Sequence, residues 1–174
     1  MDVKMAEADD IIGVIAKHFH SQEKILIISG DHDFAQLQVY PNVQQYSPIK
    51  DQFLTTADPI RSLKEHIMRG DKGDGIPNFL SEDDVFLNGV RQSPVRGAKV
   101  DLWLTQSPED FCDDRMLRNY RRNEKLVDLS QIPSDIENAI LEQFQQPIHE
   151  RKDMIYSYLV KNRLKNLLDS IQEF

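Results

Sequence analysis

At 174 residues and 40% apolar side chains, the chain is long enough for one ordinary domain or two small ones, and too apolar to be disordered. No apolar run approaches the roughly 18 residues that a bilayer span needs, the N-terminus lacks the basic-then-apolar layout of a signal peptide, and the lone Cys112 excludes an internal disulfide, so a reducing intracellular setting is expected. The net charge of −8 is the wrong sign for a nucleic-acid binder taken whole, but the cations gather: Arg91, Arg96 and Lys99 in one patch, then Arg115, Arg118, Arg121, Arg122 and Lys125 in another. A charge run of this kind also serves as a plain solvated face.

In chain order, residues 6–20 read as a helix, with Ile11, Ile12, Ile15 and Phe19 as its apolar stripe and Glu7, Asp9 and Asp10 in its first turn. Gly13 within it suits close packing. Residues 24–29 form an unbroken apolar run of strand length, the pattern of a parallel strand covered on both faces. The loop Gly30 to Asp33 follows, then one helical turn at 34–37, a short strand at 43–46 and another at 52–54 opposite it. From Asp58-Pro59, an N-cap followed by proline, the texture becomes helical. A helix over 59–69 is ended by Gly70, and Gly70 to Pro77 is a tight turn. Asn88-Gly89 suggests a hairpin in the otherwise uninformative stretch 79–105. Helices are expected from Ser107-Pro108, over 113–126, over 133–145 until Pro147, and over 151–161 and 163–172. The change of class near 55–58 divides the chain into 1–56 and 57–174.

Acidic residues fall in three short clusters: Glu7, Asp9 and Asp10; Asp31 and Asp33; Asp71 and Asp74. Each sits at a helix start, a strand end or a turn, where distant parts of a chain converge, and the carboxyl end of a strand is where open α/β sheets bind ligands. Carboxylates forced together repel unless a cation lies between them, and hard oxygen ligands suit Mg²⁺. Paired Mg²⁺ ions are a standard means of hydrolysing a phosphodiester. Each cluster has a plainer reading as well: acid favoured by a helix dipole, a turn-forming Asp-x-Asp, and a glycine-rich interhelical turn. His32 is expected to face solvent, since hard sites rarely use imidazole. The glycines of the third cluster permit close approach to a phosphate, which N–H groups of a following helix would hold.

Order and spacing are more telling than any one cluster. Glu7-Ala8-Asp9-Asp10, Ser29-Gly30-Asp31-His32-Asp33-Phe34 and Gly70-Asp71-Lys72-Gly73-Asp74-Gly75-Ile76-Pro77 together resemble the 5′-nuclease (flap endonuclease) family, and within it the tailed-phage ribonucleases H. The segment from Arg118 to Leu129, and Ile155-Tyr156-Ser157-Tyr158 with the Glu-Phe terminus, are similar to stretches of those phage enzymes. The resemblance implies an α/β fold followed by a mostly α-helical domain: 1–56 as the C-terminal part of the parallel-sheet nuclease domain, 57–174 as a DNA-binding domain with a helix-turn-helix. It implies Mg²⁺-dependent 5′→3′ cleavage of RNA–DNA hybrid and of duplex or flap DNA, for RNA primer removal during phage replication in the cytoplasm of an infected bacterium. Two Mg²⁺ ions, with Mn²⁺ as a substitute, would be held by Glu7, Asp9, Asp10, Asp31 and Asp33 for the first, with Asp71 and Asp74 holding the second through water. Gly70, Lys72, Gly73, Gly75, Arg118, Arg121, Arg122 and Lys125 would contact nucleic acid.

The chain departs from the pattern in one large respect. The family's opening strand with its metal-binding aspartate, a second aspartate and the helical arch all lie upstream of the Glu-Ala-Asp-Asp helix, and Met1 stands just before that helix here. A separately encoded N-terminal piece, or its loss, is therefore expected, with little nuclease activity from this chain alone. Gly75, where many relatives have asparagine, and Asn78-Phe79-Leu80, which lacks a closing glycine, are smaller departures. The alternative reading is a non-catalytic duplex-DNA-binding or protein-docking module after residue 57. Phage replication proteins are further possible partners, with Gln172-Glu173-Phe174 as a docking tag.

Overall fold

The computed structural model describes residues 1–146 and 154–171. It divides into two compact units, Met1–Phe144 and Gln145–Phe174. In the first unit, α1 (Ala8–Phe19) leads to β1 (Ile25–Ile28), a 3₁₀ helix (Asp33–Val39), β2 (Val43–Ser47) and β3 (Gln52–Leu54). Then follow α2 (Pro59–Arg69), α3 (Gly97–Trp103), α4 (Pro108–Phe111), α5 (Asp114–Val127), a second 3₁₀ turn (Leu129–Gln131) and α6 (Ser134–Phe144). The second unit contains α7 (Ile155–Lys161) and α8 (Lys165–Leu168), with Leu159 buried. Among the described residues, no helix is long and apolar enough to cross a membrane.

The sheet is open and mixed, in the order β1-β2-β3. β1 runs parallel to β2, with Ile25 opposite Val43 and Ile28 opposite Tyr46, and β3 returns antiparallel, with Phe53 opposite Tyr46. Ile27, Phe34, Leu37, Val43 and Ala16 form the core under one sheet face. The apolar run of β1 is not covered on both sides: Leu26 and Ile28 are 51% and 66% exposed, and Phe53 58%.

α1 carries two buried faces rather than the single stripe expected of it. Ala16 and Ile12 pack toward the sheet, while Val14 and Ile11 meet Ile140 of α6. Gly13 lies where a Cβ would come within 3.2 Å of Leu129, so its smallness admits the second 3₁₀ turn against α1. The helical core is built round Phe79, whose ring meets Trp103, Phe111 and Tyr120 edge-on at centroid distances of 5.3, 6.1 and 6.3 Å.

Two features differ from expectation. Asn88-Gly89 makes no hairpin: Asn88 N–H donates to Asp84 O and Val90 N–H to Val85 O, with Gly89 at φ +61°, so a helical turn is closed by a left-handed glycine. α3 was not foreseen, and residues 78–96 contain turns but no helix or strand. Residues of the expected helix 151–161 before Met154, together with Pro147 and the tail 172–174, lie outside the described residues.

Candidate metal centre

The loop after β1 is held largely through its backbone carbonyls. Gln45 projects inward from β2, only 1% exposed, and its Nε2 donates to Ser29 O at 3.0 Å and Asp31 O at 2.5 Å. Asp31 Oδ1 accepts the Asp33 N–H at 3.1 Å, a tight Asx turn. Gln36 ties the next turn across the molecule, donating to Asp33 O and Val127 O, both at 2.9 Å. At the start of α1, Asp10 Oδ2 accepts the Glu7 N–H at 2.9 Å, one half of a capping box.

The third cluster hangs from the end of α2. Gly70 has φ +65°, and a Cβ there would fall 2.4 Å from Ile76 O, so only glycine fits. Ile76 N–H donates to Asp71 O at 2.6 Å and closes the turn. Asp71 Oδ1 accepts the N–H groups of Gly73 and Asp74 at 2.6 and 3.3 Å, so this carboxylate does form the turn. Its Oδ2 is left facing His66.

These loops bring the three clusters together. Glu7, Asp9, Asp10, Asp33 and Asp74 line one cleft of about 390 Å³ with Gly75, Ile76, Leu126, Val127 and Leu129. Asp31 stands beside it, near enough for its charge to act on both Asp9 and Asp33. Burial pushes the Asp33 carboxyl up to about 6; His66 opposes this, and the charges of Asp31, Asp9 and Asp74 add to it. Asp9 is raised too, first by burial and then by Asp31, Glu7, Asp10 and Asp74. Burial alone would raise Asp71, but the Gly73 and Asp74 N–H groups and the His66 ring outweigh it and hold that carboxyl below its ordinary value.

His66, which the sequence reading passed over, lies between two clusters. Its side chain is 9% exposed, with Nδ1 3.1 Å from Asp33 Oδ1 and Nε2 3.4 Å from Asp71 Oδ2. Asp33, His66 and Asp71 form a candidate metal-binding group, each offering a ligand atom within 4.8 Å of the others. Asp33 Oδ1 is buried and faces His66 Nδ1. A buried carboxylate oxygen beside four more acids is a donor set that fits a hard divalent cation. His32 is exposed, its ring 5.4 Å from that of His66. A signal for Gln45 existed: it occupies an inward position between Val43 and Ser47 on a strand of alternating burial.

The residues expected to touch nucleic acid divide into two groups. Lys72, Gly73, Gly75 and Lys125 are exposed, and Gly70 is half-buried. Lys72 also borders a surface cleft of about 590 Å³ with Arg69, Arg91, Asn78 and Gln92. The arginines of α5 are not free cations. Arg118 pairs with Asp83 at 3.0 Å, Arg122 also pairs with Asp83, and Arg121 is held between Glu109 and Glu124.

Residues 59–174 match the family described as T4 RNase H, C terminal. Ribonuclease H of Enterobacteria phage T4 is 32% identical over 187 aligned positions, which cover 100% of this chain and 60% of that protein. The fold is like that of the T5 D15 protein co-crystallised with metal ions, with a TM-score of 0.55 and 17% identity over 82% of this chain and 61% of that one. The chain thus spans about three fifths of the length of either relative.

Proposed function

Because the chain belongs to the T4 RNase H family, we propose that it supplies the acidic cleft and duplex-binding region of a Mg²⁺-dependent 5′→3′ nuclease. The substrates we assign are RNA–DNA hybrid, as in primer removal, and duplex or flap DNA, during phage replication in the host cytoplasm. The observation that carries this reading is the convergence of acids from three separate segments on one cleft, where burial and the neighbouring carboxylates raise both Asp9 and Asp33. A fold gains nothing from such repulsion unless a cation relieves it.

Asp9 and Asp33, with Glu7, Asp10 and Asp31, would hold one Mg²⁺; Asp74 and Asp71 would hold a second, with Mn²⁺ as a substitute for either. Bound there, the metal would supply a hydroxide for attack on the phosphodiester and stabilise the departing oxygen. His66 braces Asp33 against Asp71 and keeps the second and third clusters at a fixed separation. We take the exposed turn at 70–77 as the duplex contact, with Gly73 and the open Gly75 beside the phosphate backbone and Lys72 pairing with it. Gly70 serves by letting the turn close on Ile76 and Pro77, and the second helix expected directly after the turn is absent, the next among the described residues being α3. From α5, Lys125 is the cation we place against phosphate; Arg121 would join it only by leaving Glu109 and Glu124, while Arg118 and Arg122 face Asp83 and their own asparagines. An N-terminal nuclease segment would complete the sheet at β1, whose edge and outer face expose Leu26 and Ile28.

The test combines the chain with the N-terminal two fifths of the T4 relative and a 5′-labelled RNA–DNA hybrid. We expect release of short 5′ products that stops with EDTA and falls on the order of 100-fold in Asp9→Asn and Asp33→Asn. Cleavage indifferent to both substitutions would overturn the proposal. Hybrid binding with neither cleavage nor Mg²⁺ uptake would instead point to a non-catalytic duplex-binding module.

A further inference from the structure

Two Arg-Asn doublets, Arg118-Asn119 and Arg122-Asn123, stand one helical turn apart on α5. Both asparagines are fully buried. In each doublet the arginine grips the neighbouring amide oxygen. Arg118 Nε and Nη2 donate to Asn119 Oδ1 at 3.2 and 2.9 Å, and Arg122 Nε and Nη2 donate to Asn123 Oδ1 at 3.0 and 2.8 Å. With its oxygen taken, each carboxamide must aim Nδ2 the other way, which fixes its orientation.

The two amides hold different things. Asn119 Nδ2 donates to Phe79 O and Ser81 O at 3.2 and 2.9 Å, beyond the acidic turn. Asn123 Nδ2 donates to Ile67 O at 2.8 Å and Pro77 O at 2.9 Å, and Arg122 Nη2 adds a second bond to Pro77 O at 3.0 Å. Ile67 is in the last turn of α2 and Pro77 is where the chain leaves the acidic turn. One side chain therefore fastens both ends of the segment that carries Asp71 and Asp74. We propose that Asn123, aimed by Arg122, is a positioning residue for those carboxylates, and so for the divalent cation of the cleft. The guanidinium that aims the amide is paired with Asp83, and the amide itself is uncharged. A lysine in its place would neutralise the turn and compete with the metal, whereas an amide closes the turn and leaves its negative charge available. This inference rests on the metal reading above.

Asn119 provides the control, since it loses the same kind of bonds when truncated but does not touch the turn. The measurement is Mn²⁺ affinity of the full chain by titration calorimetry, with amide exchange read at Gly73, Asp74 and Gly75. Asn123→Ala should weaken Mn²⁺ binding by about 10-fold or more and speed exchange in the turn. Asn119→Ala should lower the melting temperature comparably while leaving affinity within about 2-fold. Arg122→Gln keeps Asn123 but releases its aim, and serves if Asn123→Ala does not fold; it should move affinity in the same direction. Equal affinities in the Asn123 and Asn119 variants would overturn the proposal. If the unaltered chain takes up no Mn²⁺, the metal reading itself fails, and exchange that is unchanged in Asn123→Ala would remove the staple as well.

Discussion

Asp33 shows how a single carboxyl can report on a whole site. Its pKa is held near 6 by burial and by Asp31, Asp9 and Asp74, against about 3.9 in an unfolded chain. The folded protein therefore holds this proton more tightly than the unfolded one. The associated stability is complete below about pH 4 and is lost as pH rises through about 6. Asp33→Asn fixes the neutral form. In metal-free buffer at pH 7 the variant should be more stable by about 1 kcal/mol after screening, a rise of roughly 2–4 °C in Tm, and the difference should vanish below about pH 4. Thermal melts across pH would show this; a variant less stable at pH 7 would mean that His66 outweighs the repulsion. The acids were legible in the sequence through their clustering and spacing, although Asp31 and Asp71 also shape their own turns. His66 and Asn123 were not, because nothing in their own neighbourhoods sets their roles. Each acts through partners far along the chain, and such pairings are invisible to local pattern.

At the scale of elements, the turn between α2 and the helical core sets the limits. Gly70 and Gly75 both have positive φ, +65° and +75°, but their surroundings differ. A Cβ at Gly70 would meet three backbone atoms within 2.7 Å, whereas nothing lies within 4 Å of one at Gly75. Gly75→Ala should cost only the conformational strain, about 1–2 kcal/mol. Gly70→Ala must also push the backbone apart, and should cost roughly 3 kcal/mol or more in urea melts. Similar costs for the two would mean that the turn yields easily. Helix positions were readable where caps and periodicity agreed, as at Asp58-Pro59, whose Asp58 Oδ1 accepts the Arg61 N–H at 2.9 Å. The run at 24–29 was read correctly as a strand and wrongly as covered twice, because composition does not reveal whether a neighbour is present. α3 escaped notice because its short length offers barely two turns of pattern.

For the molecule as a whole the net charge is −8, and because the cleft gathers Glu7, Asp9, Asp10, Asp33 and Asp74, a divalent cation should act there more strongly than salt does. At 100 times its Kd, Mg²⁺ or Mn²⁺ binding only the folded state should add roughly 2.7 kcal/mol, or about 5–10 °C in Tm. NaCl at matched ionic strength should give much less, since it only screens. Equal rises from both would indicate a diffuse acidic surface in place of a binding site.

The packing of α6 on α1 has a consequence for synthesis. Ile140 closes over Val14, and Glu137 receives Lys17 Nζ at 2.9 Å and faces the His18 ring at 2.5 Å, so the opening helix is seated by almost the last segment of its unit. A ribosome must therefore pass Ile140 before α1, which opens with Asp9, gains its second packing face. A nascent chain stalled ahead of Ser134 would bear every residue that lines the cleft while that helix was still supported on one side only.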